Sequence, residues 1–324
     1  MKLIMKTSLA VLLAALLAFA YWYAFIALEE SPMEQGDILK AYDYQPVENF
    51  QLDMTETSPN VFSFTYESFD GELVYGQISF PDKESDRYPV LIGISAMGRS
   101  YVRWWVDTFN GNPTVTQVNR ITDLANRNGY AIISIDARYH GKRKDPDRTL
   151  RSIMNDLHFF GDKRDYEAMI RDTVLDHRVL LDWIERQENL DIERVRVAGY
   201  SMGGQISLIL GSVDARISDI ISIVPPSIDD KTALVAPKNL VSLLGDKRVL
   251  LITAEDDENA SAADNDFLFD LLPGSNKERI DFDGGHILPE DYVDRLASEF
   301  DQADIPVRRM DHEQVVYSYI VRER

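Results

Sequence analysis

The residues best placed to do chemistry lie in Gly199-Tyr200-Ser201-Met202-Gly203-Gly204. A Gly-x-Ser-x-Gly stretch between an apolar strand pattern and a helical pattern has the form of a nucleophile elbow. The tight turn lifts the serine hydroxyl clear of the sheet, and the helix N-terminus puts partial positive charge behind it. Glycines on either side let strand and helix approach closely. A plain glycine turn or a phosphate loop are the competing readings, but the dinucleotide fingerprint Gly-x-Gly-x-x-Gly is absent here. A serine hydroxyl needs a base to become a useful nucleophile. His140, His158, His177, His286 and His312 are the candidates. The chain has no cysteine, which excludes a thiolate nucleophile, a disulfide framework, a thiolate zinc site and an iron–sulfur cluster.

The elements that must position these groups can be read from the pattern of apolar runs. Residues 61–67 and 73–80 alternate apolar and polar around Asp70-Gly71, which predicts a β-hairpin. Beyond Pro81 the runs become continuous: 90–95, 131–136, 195–199, 217–224, 249–253 and 279–282. Strands buried on both faces of a parallel sheet have this composition. Helices are expected between them over 114–128, 166–187, 202–211, 232–244, 262–272 and 289–300, the second with Ile170, Val174, Leu181 and Ile184 on one face. Strand–helix alternation implies an α/β fold with a mostly parallel, doubly wound sheet. Its chemistry should lie outside the carboxyl ends of the strands.

On the elbow and its context the chain resembles the α/β-hydrolase superfamily over about residues 60–305. Asp172, Asp182-Trp183 and Arg194-Val195 ahead of the elbow are similar to its dienelactone-hydrolase-like and peptidase-like branches. The resemblance implies a triad in the chain order serine, acid, histidine. Only His286 and His312 follow Ser201. His286, in Asp283-Gly284-Gly285-His286, stands just past the last expected strand, where the family carries its base, whereas His312 lies in a charged tail. The acid should end the preceding strand, which runs into Ala254-Glu255-Asp256-Asp257-Glu258. The family pattern Gly-x-x-Asp, with Ala254 in the glycine place, makes Asp257 the match and Asp256 the alternate. The oxyanion hole is expected from the backbone N–H of Met202 and of Met97. The family's His-Gly-x-Gly is replaced here by Ser95-Ala96-Met97-Gly98.

The loop Asp136-Ala137-Arg138-Tyr139-His140-Gly141 resembles a family loop that is more often structural than substrate-contacting. His177, on the buried stripe of its helix, reads as a core histidine. The stretch between 224 and 249 is too short for a large cap domain. The pocket roof is therefore expected from loop 98–113, with Tyr101, Trp104, Trp105 and Phe109, and from loop 141–165. The latter mixes Lys142, Arg143, Arg148 and Arg151 with Phe159 and Phe160. Such a basic group could meet an anionic substrate or simply balance surface charge.

The chain begins with Lys2 and Lys6, then an uncharged apolar run from Ser8 to Leu28. This run has the length of a membrane span, about 20 residues. It reads as an uncleaved anchor or as a signal cleaved after Ala18-Phe19-Ala20, with the remainder exported in either case. Residues 29–58 read as a polar linker or lead-in, 59–305 as the catalytic domain and 306–324 as a C-terminal extension, in which 315–320 could add an edge strand. Lys plus Arg number 34 against 54 for Asp plus Glu, a net charge of −20, which disfavours nucleic acid as a partner. The expected protein is a membrane-anchored or secreted serine hydrolase acting on the ester or related acyl bond of a small molecule, with no metal or organic cofactor implied. An exported peptidase or amidase, and a silent binding protein on the same fold, are the alternatives.

Overall fold

The computed structural model describes residues 2–47 and 50–300 of the 324-residue chain. Among the described residues eleven strands occur in chain order: β1 Leu52–Ser58, β2 Val61–Glu67, β3 Leu73–Ser79, β4 Tyr88–Ile94, β5 Thr108–Phe109, β6 Asn112–Pro113, β7 Ala131–Ile135, β8 Leu190–Tyr200, β9 Ile217–Ile223, β10 Arg248–Ala254 and β11 Lys277–Phe282. The helices are α1 Lys2–Phe25, α2 Gln35–Ala41, α3 Val118–Arg127, α4 Leu150–Phe159, α5 Arg164–Ile184, α6 Met202–Val213 and α7 Ala262–Leu271. Nine strands form one sheet in the order β1-β2-β3-β7-β4-β8-β9-β10-β11, while β5 and β6 make a separate small ribbon. The first three strands are antiparallel, β3 joins β7 antiparallel, and the rest run parallel. This is the α/β-hydrolase arrangement expected from the sequence, with the antiparallel hairpin at its N-terminal edge.

The continuous apolar runs are buried on both faces. Val90 to Ile92, Ile132, Ile133, Val197, Ile220, Ile221, Leu250 and Ile252 are all fully buried in two apolar layers, one on each side of the sheet. At about 25 cal/mol per Å² of apolar surface removed from water, such strands hold the helices on both sides.

Several segments differ from expectation. Residues 29–58, read as lead-in, supply α2, whose Ile38 is fully buried, and the edge strand β1. β1 is almost wholly exposed, so its sequence LDMTETS carries no apolar signal. The helix expected over 232–244 is three short 3₁₀ turns, Asp230–Val235, Pro237–Asn239 and Val241–Leu244. Pro237 lacks the amide N–H that a continuous helix needs, and Thr232 has a non-helical backbone (φ −126°, ψ 53°). No large cap domain is inserted there. The transmembrane anchor is corrected as well: among the described residues, no helix is long and apolar enough to cross a membrane. α1 ends at Phe25, and Leu28 packs against the catalytic core, so the apolar run does not continue as one helix. His312 and the edge strand expected over 315–320 lie outside the described residues.

Candidate active site

Ser201 follows directly on β8 and caps α6 with φ 57° and ψ −118°, a backbone conformation disfavoured for any residue with a side chain. Its N–H donates to the Ile223 carbonyl of β9 at 2.8 Å, and its carbonyl accepts from the Gln205 N–H at 3.0 Å. The flanking glycines are required by contact. A Cβ on Gly199 would lie 2.0 Å from the Gly203 carbonyl oxygen, and a Cβ on Gly203 would lie 2.1 Å from the Ile94 carbonyl oxygen. The turn is therefore wedged against the last residue of β4.

Three side chains from three strand ends meet. His286 Nε2 lies 2.7 Å from Ser201 Oγ, and His286 Nδ1 lies 2.9 and 3.0 Å from the two Asp257 oxygens. Asp257 is buried, and its Oδ1 also accepts the Asn259 N–H at 2.8 Å. Of the two acids left open by the sequence, Asp257 faces the imidazole. Asp256 is exposed, and its N–H donates to the Gly284 carbonyl. The His286 loop is held in addition by Tyr200. The Tyr200 hydroxyl donates to the His286 carbonyl at 2.8 Å and accepts the Leu288 N–H at 3.0 Å. Burial, together with the nearby Asp257 and Glu258 charges, pushes the Tyr200 hydroxyl up to about 12, so it stays protonated and able to donate. Glu258 accepts the His286 N–H at 3.2 Å. Tyr200 and Glu258 escaped the sequence reading, although each adjoins a residue it named.

A cavity of about 470 Å³ opens beside the serine. Ser201, Met202 and Met97 line it together with Met154 and Leu157 of α4. Met97 and Met202, whose backbone N–H groups were expected to face an oxyanion, thus stand at the same cavity wall. Met97 lies in the loop that leaves β4, which the Gly203 contact presses against the elbow.

The family model for acetyl xylan esterase (AXE1) matches residues 37–234, more than half of the chain. The chain belongs to the acetyl xylan esterase family. It is thus a serine ester hydrolase of the α/β-hydrolase superfamily. Solved structures share the fold. Acetyl xylan esterase 1 from Thermoanaerobacterium sp. JW/SL YS485 is 17% identical, with 86% of this chain and 96% of that chain covered and a TM-score of 0.65. The acetyl xylan esterase from Paenibacillus sp. R4 is 16% identical, with 85% and 96% covered and a TM-score of 0.62. Est1E from Butyrivibrio proteoclasticus, solved with ferulic acid, is 13% identical, with 72% and 95% covered and a TM-score of 0.51. No curated protein matches the chain in sequence. The family match includes Ser201 but stops before Asp257 and His286, so the grouping of those two with the serine rests on the geometry of this chain.

Other expectations for this acetyl xylan esterase family member change. The aromatics of loop 98–113 do not roof the cavity. Trp104 is fully buried against Gly93, where a Cβ would come within 2.5 Å of the indole, and Trp105 Nε1 donates to Ser79 Oγ. The loop 141–165 contains α4, which does line the cavity. Two of its basic residues are drawn into ion pairs, Arg143 with Asp176 and Arg148 with Asp156 and Asp165, while Lys142 lies over the Tyr75 ring and Arg151 is exposed. Arg138 makes pairs with Asp176 and Asp70, and Asp136 accepts the Tyr101 and Lys142 N–H groups, a structural network. His140 and His177 are fully buried, each with Nδ1 on a backbone carbonyl, and burial lowers both to about 4.

Proposed function

We propose that the chain is an extracytoplasmic esterase in which Ser201 is the nucleophile, His286 the base and Asp257 the acid. The supporting observation is the unbroken hydrogen-bonded series from Ser201 Oγ through the His286 ring to the Asp257 carboxylate, with 2.7 Å at its reactive end. His286 takes the serine proton as Oγ attacks the acyl carbon, and Asp257 holds the ring tautomer and stabilises the imidazolium. The tetrahedral oxyanion is held by the N–H groups of Met202 and Met97, each worth about 3–4 kcal/mol. Collapse expels the alcohol with the proton from His286. Water then repeats the sequence to release the acid. The family name points to acetyl esters as the first substrates to try.

The test uses the full chain with p-nitrophenyl acetate, acetylated xylan and a fluorophosphonate probe, beside Ser201→Ala. Turnover and labelling by the wild type alone support the reading. Labelling without ester turnover moves the reading to an amidase or peptidase. Neither, in a folded protein, overturns it. Export is part of the proposal. It rests on Lys2 and Lys6 ahead of the apolar run and on Ala18-Phe19-Ala20 within it. Fractionation of cells making the tagged chain tests it; recovery from the cytosol alone overturns it.

A further inference from the structure

The cavity beside Ser201, at about 470 Å³, is far larger than an acetyl group. In an acetyl ester the alcohol is the part left to fill it. The lining agrees. Asn259 stands on its wall, and the Asn259 N–H donates to Asp257, so the cavity reaches the side of Ser201 from which the imidazole is supported. His286 hands its proton to the departing alcohol, which must lie on that side. Ser227, Asp229 and Thr232 add polar groups suited to hydroxyls.

A second cavity of about 520 Å³ shares Leu28, Leu157, His158 and Lys231 with the first and continues to Trp22, Tyr23, Glu29 and Glu30. The N-terminal strap that builds this far end is fastened at three points. Trp22 Nε1 donates to the Phe159 carbonyl at 2.6 Å, and Ser31 N–H donates to the Asp230 carbonyl at 2.9 Å. Between them the Ile26 carbonyl rests on Gly161, where a Cβ would come within 1.9 Å of it. The strap lies ahead of residue 37, where the family match begins, so the family's name does not foretell this wall. Its charge is acidic. Lys231 is paired with Asp229 at 3.2 Å, whereas among the described residues Glu29 and Glu30 have no ion-pair partner. Two unpaired carboxylates beside two aromatic side chains favour a cation and repel an anion.

We propose that the two cavities together hold the alcohol part of an acetyl ester, and that Glu29 and Glu30 make the far end select by charge. Hydroxyl-rich alcohols that are neutral or cationic are accepted, and carboxylate-bearing ones are rejected. The inference rests on Ser201 being the nucleophile and on acetyl esters being the substrates. Every strap residue it uses follows Ala20, so a cut there leaves the wall in place.

The full chain is assayed for acetate release from O-acetylated trisaccharides of xylose, quaternised glucosamine and galacturonic acid, which are neutral, cationic and anionic. Small p-nitrophenyl acetate is the reference. The variants are the double substitutions Glu29→Gln with Glu30→Gln, and Glu29→Lys with Glu30→Lys, with melting curves to confirm folding. In the wild type, kcat/KM for the anionic trimer is expected about tenfold below the neutral one, the scale of two exposed like-charge pairs, with the cationic trimer at or above neutral. The Gln pair brings the anionic trimer to within about twofold of neutral, and the Lys pair reverses the order, while p-nitrophenyl acetate stays within about twofold throughout. The Gln pair removes only two of the net −20 charges, so repulsion by the surface as a whole would survive it. A wild type that treats the three trimers alike or cleaves none of them, a preference that survives both variants, or an equal change on p-nitrophenyl acetate overturns the inference. Fluorophosphonate labelling separates the levels. Any of those results from a wild type that labels and cleaves p-nitrophenyl acetate sinks charge selection alone. Labelling without acetate release sinks the acetyl-ester reading and this inference. A folded wild type that does neither sinks the Ser201 reading and this inference with it.

Discussion

The hydroxyl of Tyr200 is hydrogen-bonded to the carbonyl of His286 across 86 residues of sequence, and the same oxygen accepts the N–H of Leu288. The residue preceding Ser201 thus fixes the loop that carries His286. Tyr200→Phe leaves both backbone groups without this partner, at about 1–3 kcal/mol for each buried group left unpaired. We expect kcat to fall by about tenfold with KM little changed, because the imidazole is misplaced while the cavity is intact. Steady-state kinetics beside a melting curve checks this; a drop in melting temperature at unchanged kcat would make Tyr200 purely structural.

The two adjacent acids separate cleanly. Asp257→Asn is expected to lower kcat by about four orders of magnitude, as amidation of a triad acid does through the wrong imidazole tautomer. Asp256→Asn, at an exposed side chain, should stay near wild type. Equal losses in the two variants contradict the assignment.

Gly203→Ala places a methyl group 2.1 Å from the Ile94 carbonyl oxygen, a backbone atom that cannot swing aside. We expect about 2–4 kcal/mol of lost stability, in line with other steric insertions into tightly packed backbone, together with loss of labelling at Ser201. Gly98→Ala meets no atom within 4 Å but requires φ near +77°, so a smaller loss is expected there, read by denaturant titration.

His140 and His177 give the stability a sign with pH. Burial lowers each to about 4 in the folded chain, against the usual 6.5 when unfolded. Between these values the unfolded chain binds more protons, so stability falls as pH drops from about 6.5 towards 4 and is unaffected by these groups above that window. His177→Gln should flatten the slope of the unfolding free energy across the window. A slope identical to wild type refutes the contribution of this residue.

Much of this architecture was readable because buried parallel strands are written as continuous apolar runs, and because glycine spacing marks the elbow. Asp257 and His286 were expected because each stands a few residues past the end of such a run. Leu28, Tyr200 and α4 were not, for physical reasons. Leu28 is the last residue of an apolar stretch whose composition belongs to a membrane span. Tyr200 looks like one more apolar strand residue until its hydroxyl is placed. α4 carries only Ile153 and Leu157 as buried residues among charges, too narrow a stripe to stand out. Loop 98–113 misled in the opposite direction, since an aromatic cluster fills a core as readily as it lines a pocket.

The contact between Gly203 and the Ile94 carbonyl has a consequence for how this site tolerates change. It sets the distance from the nucleophile turn to the start of the Met97 loop by main-chain atoms alone. Side chains at Ser95 and Ala96 are then relieved of holding that spacing, and the loop can carry Ser-Ala in place of His-Gly without moving the amides that follow. Variation at these positions becomes a way to reshape the cavity rim while the reacting centre stays where it is.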